Sequence, residues 1–222
     1  MAGKKVIPGG FFVSFEGPEG SGKSTQISRL KMYFEQAGYC VVVTREPGGT
    51  RISEKIRDLL LDPSCSEMLP GTELLLYAAS RAQHLGQVIQ PALKSGSLVI
   101  CDRFHDSTTA YQGFGRGIDT ELIRNVHCIT LNGILPALTF ILCVEVATGL
   151  NRARTKSESG HGHNGGDRLE QENLSFHNRV MAGYKWIAQQ EPERVVLVRE
   201  GSIEETGNRL ITEIERRIRG KS

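Results

Sequence analysis

The fold is decided by the stretch Phe11-Phe12-Val13-Ser14-Phe15-Glu16-Gly17-Pro18-Glu19-Gly20-Ser21-Gly22-Lys23-Ser24-Thr25. Its apolar beginning, Phe11 to Phe15, predicts a buried strand, and a complete G-x-x-x-x-G-K-S motif follows directly. The glycines let backbone N–H groups converge on phosphate oxygens where a helix begins, Lys23 adds a positive charge, and the Ser24 hydroxyl suits Mg²⁺. The other interpretation, a glycine-rich turn with a solvated lysine, does not require this strand-loop-helix context. We therefore predict an ATP-binding P-loop formed by Gly17, Pro18, Glu19, Gly20, Ser21, Gly22, Lys23, Ser24 and Thr25.

Strands and helices are predicted to alternate along the rest of the chain. Apolar or β-branched runs predict further strands at Tyr39–Thr44, Leu98–Cys101, Leu138–Val144 and Val195–Val198. Helical patterns cover Lys23–Gln36, Ser53–Leu61, Thr72–Lys94, Thr120–Leu131, Leu174–Gln190 and Ile203–Ile218. Such alternation indicates an α/β P-loop NTPase with a five-stranded parallel sheet flanked by helices. No linker interrupts the pattern, so we expect a single domain across residues 1–222.

Composition excludes several classes of protein. The 222 residues are 39% hydrophobic and 23% charged, which is a globular mixture and not that of a disordered chain. Lys and Arg number 27 and Asp and Glu 25, so the net charge of +2 lacks the basic excess of a nucleic-acid binder. No run approaches a membrane span or a signal peptide, and the five scattered cysteines favour a reducing compartment. We expect a soluble cytoplasmic protein without nucleic-acid or membrane partners.

A second carboxylate is expected near the magnesium of a P-loop, at the end of a neighbouring strand. Asp102 follows the apolar run Leu98–Cys101, so Ser24 and Asp102 are the predicted metal ligands. These motifs leave the substrate open. A GTPase is disfavoured because the chain has neither an N/T-K-x-D nor a D-x-x-G motif. Another nucleoside or nucleoside monophosphate kinase, and a non-catalytic regulator that binds ATP, stay open as alternatives.

Three further segments carry a family resemblance. They are T-R-E-P-G-G-T at residues 44–50, L-Y-A-A-S-R at 76–81 and D-R-F-H-D-S-T-T-A-Y-Q-G at 102–113. Together they resemble the thymidylate kinase family, and the resemblance runs from Phe12 to the final helix. It implies phosphorylation of dTMP to dTDP with ATP and Mg²⁺, on a nucleoside monophosphate kinase fold with a lid, usually as a homodimer.

The resemblance also implies how dTMP binds. Tyr77 and Arg81 are four residues apart and therefore share one helix face. In the family the ring at the first position stacks on thymine and the arginine at the second bonds the base. The remaining positions that the resemblance assigns to dTMP are Thr108 and Gln112 at the thymine edge, Tyr111 at the sugar, Arg45 and Arg103 at the phosphate, and Glu16 at the 3′-hydroxyl. Without the family, Glu16 would be interpreted as a partner of Lys23 or of Mg²⁺.

The lid is predicted at about residues 149–172. Its glycine-rich segment, residues 155–166, has the composition of a mobile loop, and a mobile arginine can stabilise charge on the transferred phosphoryl group. The variable P-loop positions contain no base, which resembles the bacterial type with its catalytic arginine in the lid. Arg154 is the weaker candidate, and His161 and His163 are interpreted as solvated and not as metal ligands. The predicted catalytic residues are Lys23, Arg103, Arg152 and Arg168.

Overall fold

Five parallel strands form the centre of the structure, in the order β2-β3-β1-β4-β5. This computed structural model describes residues 4–156 and 167–220, with residues 154 and 156 described by their backbone alone. The strands are β1 (Phe11–Glu16), β2 (Val41–Arg45), β3 (Leu98–Asp102), β4 (Leu138–Leu142) and β5 (Val195–Val198). The register pairs Phe15 of β1 with Asp102 on one side and with Phe140 on the other. The predicted five-stranded parallel sheet is therefore confirmed, and the ends of β1, β2 and β3 share one edge.

Helices cover both faces of the sheet. In the described part of the chain the α-helices are α1 (Lys23–Gln36), α2 (Arg51–Leu61), α3 (Pro70–His84), α4 (Gln90–Lys94), α5 (His105–Thr108), α6 (Thr120–Leu131), α7 (Val146–Lys156), α8 (Leu174–Gln190) and α9 (Ile203–Arg219). A 3₁₀ turn occupies Pro63–Cys65, and π-helical segments occupy Leu85–Ile89 and Thr109–Gly115. Ser202 and Glu205 form a capping box at the start of α9.

The prediction of one continuous helix over Thr72–Lys94 is wrong, because the α-helix is interrupted. It begins at Pro70, and the π-helical segment Leu85–Ile89 separates α3 from α4. Proline at residue 91 has no N–H to donate and its ring would press on the carbonyl one turn earlier, so a regular α-helix cannot pass this point undisturbed. At α2 the helix begins two residues before the prediction because the Thr50 side chain caps it by accepting from the Ser53 N–H.

Two helical segments were not predicted. Residues 105–115 continue from α5 into a π-helical segment, although Thr109, Gly113 and Gly115 are poor helix formers. This segment packs on α8, and tertiary packing there overrides local propensity. The other is α7, whose C-terminal half was assigned to the lid. The predicted lid is described up to residue 156 and again from 167, while most of its glycine-rich segment, with His161 and His163, lies outside the described residues.

The core follows the two-residue period of β1. Phe11, Val13 and Phe15 point to the cluster formed with α1 and α9, and Phe12 points to a second cluster on the opposite face. Burying each such ring contributes about 1.5–3 kcal/mol, so the central strand is anchored on both sides. Glu16 shares the face of Phe12, where it ends the strand beneath the functional edge of the sheet.

Candidate active site

A cleft of about 540 Å³ opens at the carboxyl edge of the sheet. This is the edge at which parallel α/β sheets bind ligands. Its walls include residues 19–25 of the P-loop and also Tyr77, Arg81 and Gln112, which come from distant parts of the sequence. The predicted phosphate-binding and base-binding groups therefore line one cavity.

The side chain of Lys23 forms hydrogen bonds with the backbone of its own P-loop. Lys23 is buried, and its Nζ donates to the carbonyl oxygens of Gly17 at 3.2 Å and Pro18 at 2.9 Å and to Ser21 Oγ at 3.4 Å. Burial lowers the pKa of Lys23, and the positive charge of Arg103 lowers it further. An anion placed in the cleft would stabilise this ammonium, which fits the phosphate groups of a nucleotide.

Close contacts leave no room for a side chain at two glycines of the loop. Gly17 has φ 129° and Gly20 has φ 66°, and a Cβ there would collide with the carbonyl oxygens of Leu142 and Gly149 respectively. At Gly22 a Cβ would meet nothing within 4 Å. Open space therefore lies where α1 begins, next to the exposed residues Ser24 and Thr25 that line the cleft. Space at the positive end of a helix is suited to anionic oxygens.

Arg103 connects the P-loop to Tyr111 and Tyr184 on the other side of the cleft. Its backbone lies in the left-handed region at φ 70°, an unfavourable conformation that is concentrated at functional sites. Its guanidinium forms an ion pair with Glu19, donates to Tyr184 Oη at 3.1 Å and lies over the Tyr111 ring at 5.1 Å. Burial raises the pKa of Glu19, but the charges of Arg103 and Lys23 and the hydrogen bond from Arg103 together outweigh burial, and this pKa is lowered to about 2. Glu19 is therefore ionised and holds Arg103 in place.

Glu16 is completely buried at the end of β1 and does not line the cleft. Its Oε1 accepts from the Phe104 N–H at 2.8 Å, and its Oε2 accepts from the Ser107 hydroxyl at 2.5 Å and the Tyr184 hydroxyl at 3.0 Å. Burial, followed by repulsion from Asp106, raises the pKa of Glu16 to about 7. No hydrogen bond or ion pair joins Glu16 to Lys23, because the Lys23 ammonium bonds the carbonyls of its own loop.

Arg81 is the largest fully buried side chain among the residues that the structure describes, and it lines the cleft. Its Nε donates to Glu46 Oε2 at 2.7 Å, and its Nη2 donates to Thr108 Oγ1 at 2.9 Å and to the Phe104 carbonyl at 3.2 Å. Its Nη1 has no hydrogen-bond partner among the described residues. A buried donor of this kind is costly unless a ligand accepts from it. Tyr77 lies four residues earlier on α3 and lines the same cleft.

Gln112 and Arg45 complete the predicted substrate set within the cleft walls. Gln112 is buried, and its Nε2 donates to Glu73 Oε1 at 2.8 Å. Arg45 is half exposed and forms an ion pair with Glu54 at 2.7 Å. Both side chains therefore hold protein partners that fix their present positions.

The structure separates the predicted lid arginines. Arg152 lines the cleft and donates through Nη2 to Glu200 Oε1 at 2.8 Å. Arg168 does not line the cleft: it is buried, with Nη1 2.6 Å from Glu73 Oε2 and Nε donating to the Leu60 carbonyl at 2.9 Å. Arg154 lies on α7, and its side chain is outside the described residues.

Comparison with known proteins identifies the family. Residues 15–210 match the family model described as thymidylate kinase. The chain belongs to the thymidylate kinase family. It is 51% identical to the thymidylate kinase of Trichlorobacter lovleyi over 84% of this chain and 88% of that protein, and 47% identical to that of Pelobacter propionicus over 92% and 94%. A crystal structure of thymidylate kinase from Ehrlichia chaffeensis matches with a TM-score of 0.74 and 34% identity, covering 94% of this chain and 99% of that one.

Membership of the thymidylate kinase family confirms the predicted function, the phosphorylation of dTMP with a nucleotide, ATP, as the phosphoryl donor. It does not favour the alternatives, another nucleotide kinase or a regulator without activity. Across residues 4–156 and 167–220 no helix has the length and hydropathy to cross a membrane.

The cleft contains most of the predicted site residues of this thymidylate kinase family member. Those that line it are Glu19, Gly20, Ser21, Gly22, Lys23, Ser24, Thr25, Arg45, Tyr77, Arg81, Asp102, Arg103, Thr108, Tyr111, Gln112 and Arg152. Gly17, Pro18, Glu16 and Arg168 lie outside its walls. The two P-loop residues support the loop from behind, since their carbonyls accept from Lys23.

Sequence reasoning missed several residues of the site. Ser107 and Tyr184 form the network around Glu16, and Glu46 and Glu73 hold Arg81 and Gln112. Arg57 of α2 also lines the cleft and donates to the Pro47 carbonyl at 2.8 Å. The only signal for Ser107 was its place in the D-R-F-H-D-S segment. Nothing in the local sequence connects α8, which carries Tyr184, with the end of β1.

Proposed function

We propose that this cleft holds ATP and dTMP together and brings the γ-phosphoryl group of ATP to the 5′-phosphate of dTMP. The observation that supports this arrangement is the single cavity whose walls include both the P-loop and the set of Tyr77, Arg81 and Gln112. Phosphoryl transfer is achieved mainly by positioning and by stabilising charge, so both phosphate groups must meet within one water-poor space.

The nucleoside of dTMP is proposed to bind beside α3. Tyr77 offers an aromatic face to the thymine ring, and the unpartnered Nη1 of Arg81 is available to donate to a carbonyl oxygen of the base. Thr108 and Gln112 are assigned to the thymine edge. Tyr111 is assigned to the sugar, because its ring lines the cleft and is held beneath the Arg103 guanidinium. Glu16 is assigned to the 3′-hydroxyl, acting from beneath the cleft.

The phosphate of dTMP is assigned to Arg45 and Arg103. Planar guanidinium groups bind phosphate through two parallel hydrogen bonds. Each arginine now pairs with a carboxylate, Arg45 with Glu54 and Arg103 with Glu19. A phosphate dianion arriving between them would compete for the same donors, and the carboxylates keep both guanidiniums oriented until it does.

The phosphates of ATP are assigned to the P-loop, with Lys23 as the charge that contacts them. Ser24 and Asp102, which both line the cleft, are the residues that would hold Mg²⁺. Bound Mg²⁺ neutralises part of the charge on the phosphate oxygens. Arg103, Arg152 and Arg168 complete the proposed catalytic set, in the bacterial arrangement with an arginine from the lid. Arg168 would have to leave Glu73 to reach the cleft.

We also propose a homodimer in a reducing compartment, the cytoplasm. Neighbouring helices α2, α3 and α6 carry exposed apolar side chains, with Leu75 63% and Ile129 82% exposed. Burying such a surface against a second copy would be favourable. All five cysteines are unpaired, which suits a reducing environment. Light scattering coupled to size exclusion tests the dimer, and Leu75→Glu is expected to shift it toward the monomer.

The test of the activity is ADP release from MgATP in the presence of each nucleoside monophosphate. We expect the highest rate with dTMP, a weaker one with dUMP and little with AMP, CMP or GMP. Comparable turnover of AMP or CMP would contradict the proposed base contacts. Lys23→Ala is the control for the site, because it removes a charge that acts on the phosphates; transfer should be lost while the circular dichroism spectrum is retained.

A further inference from the structure

Glu73 of α3 is a fully buried carboxylate that binds three side chains. Its Oε1 accepts from Gln112 Nε2 at 2.8 Å and from Arg116 Nε at 3.2 Å. Its Oε2 accepts from Arg116 Nη2 at 3.0 Å and lies 2.6 Å from Arg168 Nη1. Burial raises the pKa of Glu73, but the hydrogen bonds from Arg116 and Gln112 and the charges of Arg116 and Arg168 together outweigh burial, and the pKa is lowered. Glu73 is therefore ionised and only accepts hydrogen bonds.

This carboxylate determines which way the Gln112 amide points. The two ends of a glutamine amide have nearly the same shape but opposite hydrogen-bonding character. Only the NH₂ end can face an ionised carboxylate; the flipped amide would place Oε1 against Glu73 Oε1, acceptor against acceptor. Gln112 is 1% exposed and lines the cleft, and no described residue donates to its Oε1. The end that remains for a ligand is therefore a carbonyl acceptor, next to the second N–H of Nε2.

We propose that Glu73 is the positioning residue for base selection: by fixing the Gln112 amide it makes the cleft accept a pyrimidine whose N3 carries a proton. This rests on the proposed placement of the base beside Gln112. Thymine and uracil donate from N3–H to Oε1 and accept at O4 from Nε2. Cytosine has the reverse pattern, an acceptor at N3 and a donor at N4, and would need the flipped amide that Glu73 forbids.

The test compares dTMP with 5-methyl-2′-deoxycytidine monophosphate, which differs from dTMP only at N3 and position 4. In Glu73→Gln the carboxylate becomes an amide that can donate or accept, so Gln112 can flip. We expect the ratio of kcat/KM for dTMP over the methylcytosine nucleotide to narrow about ten- to a hundredfold, because one buried acceptor clash is removed. The ratio of dTMP over dUMP should stay constant, since both bases carry N3–H. An unchanged first ratio overturns the proposal.

Arg116→Gln is the matched control. It removes another partner of Glu73 but keeps the bond between Glu73 and Gln112, so the ratio of dTMP over the methylcytosine nucleotide should change less than about threefold. A narrowing as large as that of Glu73→Gln would mean a general structural effect and would overturn the proposal.

Gln112→Ala distinguishes an error in the proposed placement of the base from an error in the proposed role of Glu73. If it leaves the KM for dTMP unchanged, the placement of the base in the proposed function is wrong; if KM rises while Glu73→Gln has no effect on the ratio, only the role of Glu73 is wrong.

A reciprocal exchange keeps the test valid if the single variant does not fold. In the double variant Glu73→Gln with Gln112→Glu, the amide at 73 donates to the carboxylate at 112, and the carboxylate presents only acceptors to the base. This pair retains one negative charge near Arg116 and Arg168. Thymine then finds an acceptor for N3–H but none of the donors that O4 needs, and 5-methylcytosine finds an acceptor for its N4 amino group but no donor for N3. We expect the preference for dTMP over the methylcytosine nucleotide to be nearly lost. A double variant that keeps the full preference of the unmodified chain overturns the proposal, because selection would then not depend on the amide at 112.

Discussion

Replacement of Tyr184 by Phe tests the buried network that joins Glu16 to Arg103. Tyr184 lies on α8 and has no exposed surface. Its hydroxyl donates to Glu16 Oε2 at 3.0 Å, lies 2.9 Å from Ser107 Oγ and accepts from Arg103 Nη1 at 3.1 Å. Phenylalanine retains the ring and removes only this oxygen, so changes in packing are small.

Two effects are expected. Glu16 loses one of its donors while it stays buried, and an incompletely satisfied buried polar network costs about 1–3 kcal/mol in the free energy of unfolding. Arg103 loses an anchor and keeps its pairs with Glu19 and Ser107. Because Arg103 is proposed to hold the dTMP phosphate, we expect the KM for dTMP to rise about three- to tenfold, and because Arg103 also belongs to the proposed catalytic set, we expect kcat to fall as well.

The assays are urea unfolding and steady-state kinetics, with Tyr33→Phe as the matched control. Tyr33 is 37% exposed, and its hydroxyl bonds one surface carboxylate, Glu215, at 2.9 Å. Its loss should change the free energy of unfolding by less than about 0.5 kcal/mol and leave KM unaltered. The reasoning is refuted if the two variants lose equal stability, or if Tyr184→Phe is destabilised without any change in the KM for dTMP.

Three further predictions concern the lid, the sugar and pH. Arg168→Ala should lower kcat by about a hundredfold or more, since arginine contacts to the transferred group act in the transition state; a raised KM for dTMP with constant kcat would remove Arg168 from the chemistry. Tyr111→Ala should narrow the preference for dTMP over ribothymidine monophosphate in ADP-release assays, because Tyr111 is proposed to lie against the sugar, where its ring would leave a 2′-hydroxyl no space or partner. An unchanged ratio would assign sugar selection to Glu16. Burial lowers the pKa of His105 to about 4 and that of His127 to about 2. Between about pH 6.5 and 4 the unfolded chain therefore binds protons at these imidazoles that the folded chain does not. The free energy of unfolding should fall over this range, by about 1.4 kcal/mol per pH unit for each imidazole. The raised pKa of Glu16 increases the free energy of unfolding as pH drops from about 7 to 4.5, which opposes the histidine effect. The histidine contribution is therefore isolated with His127→Gln, whose free energy of unfolding should depend less steeply on pH than that of the unmodified chain.

Local signals in the sequence were sufficient for the architecture. The strand before the P-loop, the glycines of the loop and the helix that begins at Lys23 are adjacent in the chain, so their geometry follows from neighbouring residues. The alternation of apolar runs with helical patterns in turn implied the parallel sheet. The pair Tyr77 and Arg81, which lines the cleft, could be predicted for the same reason, because four-residue spacing on one helix is a local relation.

The tertiary structure decided the partners of the buried charges. Tyr184 donates a hydrogen bond to Glu16 across 168 positions of sequence. Arg168 donates to the Leu60 carbonyl across 108 positions, and Gln112 donates to Glu73 across 39. It also made residues 105–115 helical against their propensity, by packing them on α8. Sequence patterns report the periodicity and the turn chemistry of short segments, whereas the orientation of an amide or the pKa of a carboxylate depends on which distant groups share its low-dielectric surroundings. Those surroundings exist only once the sheet and its helices have packed together.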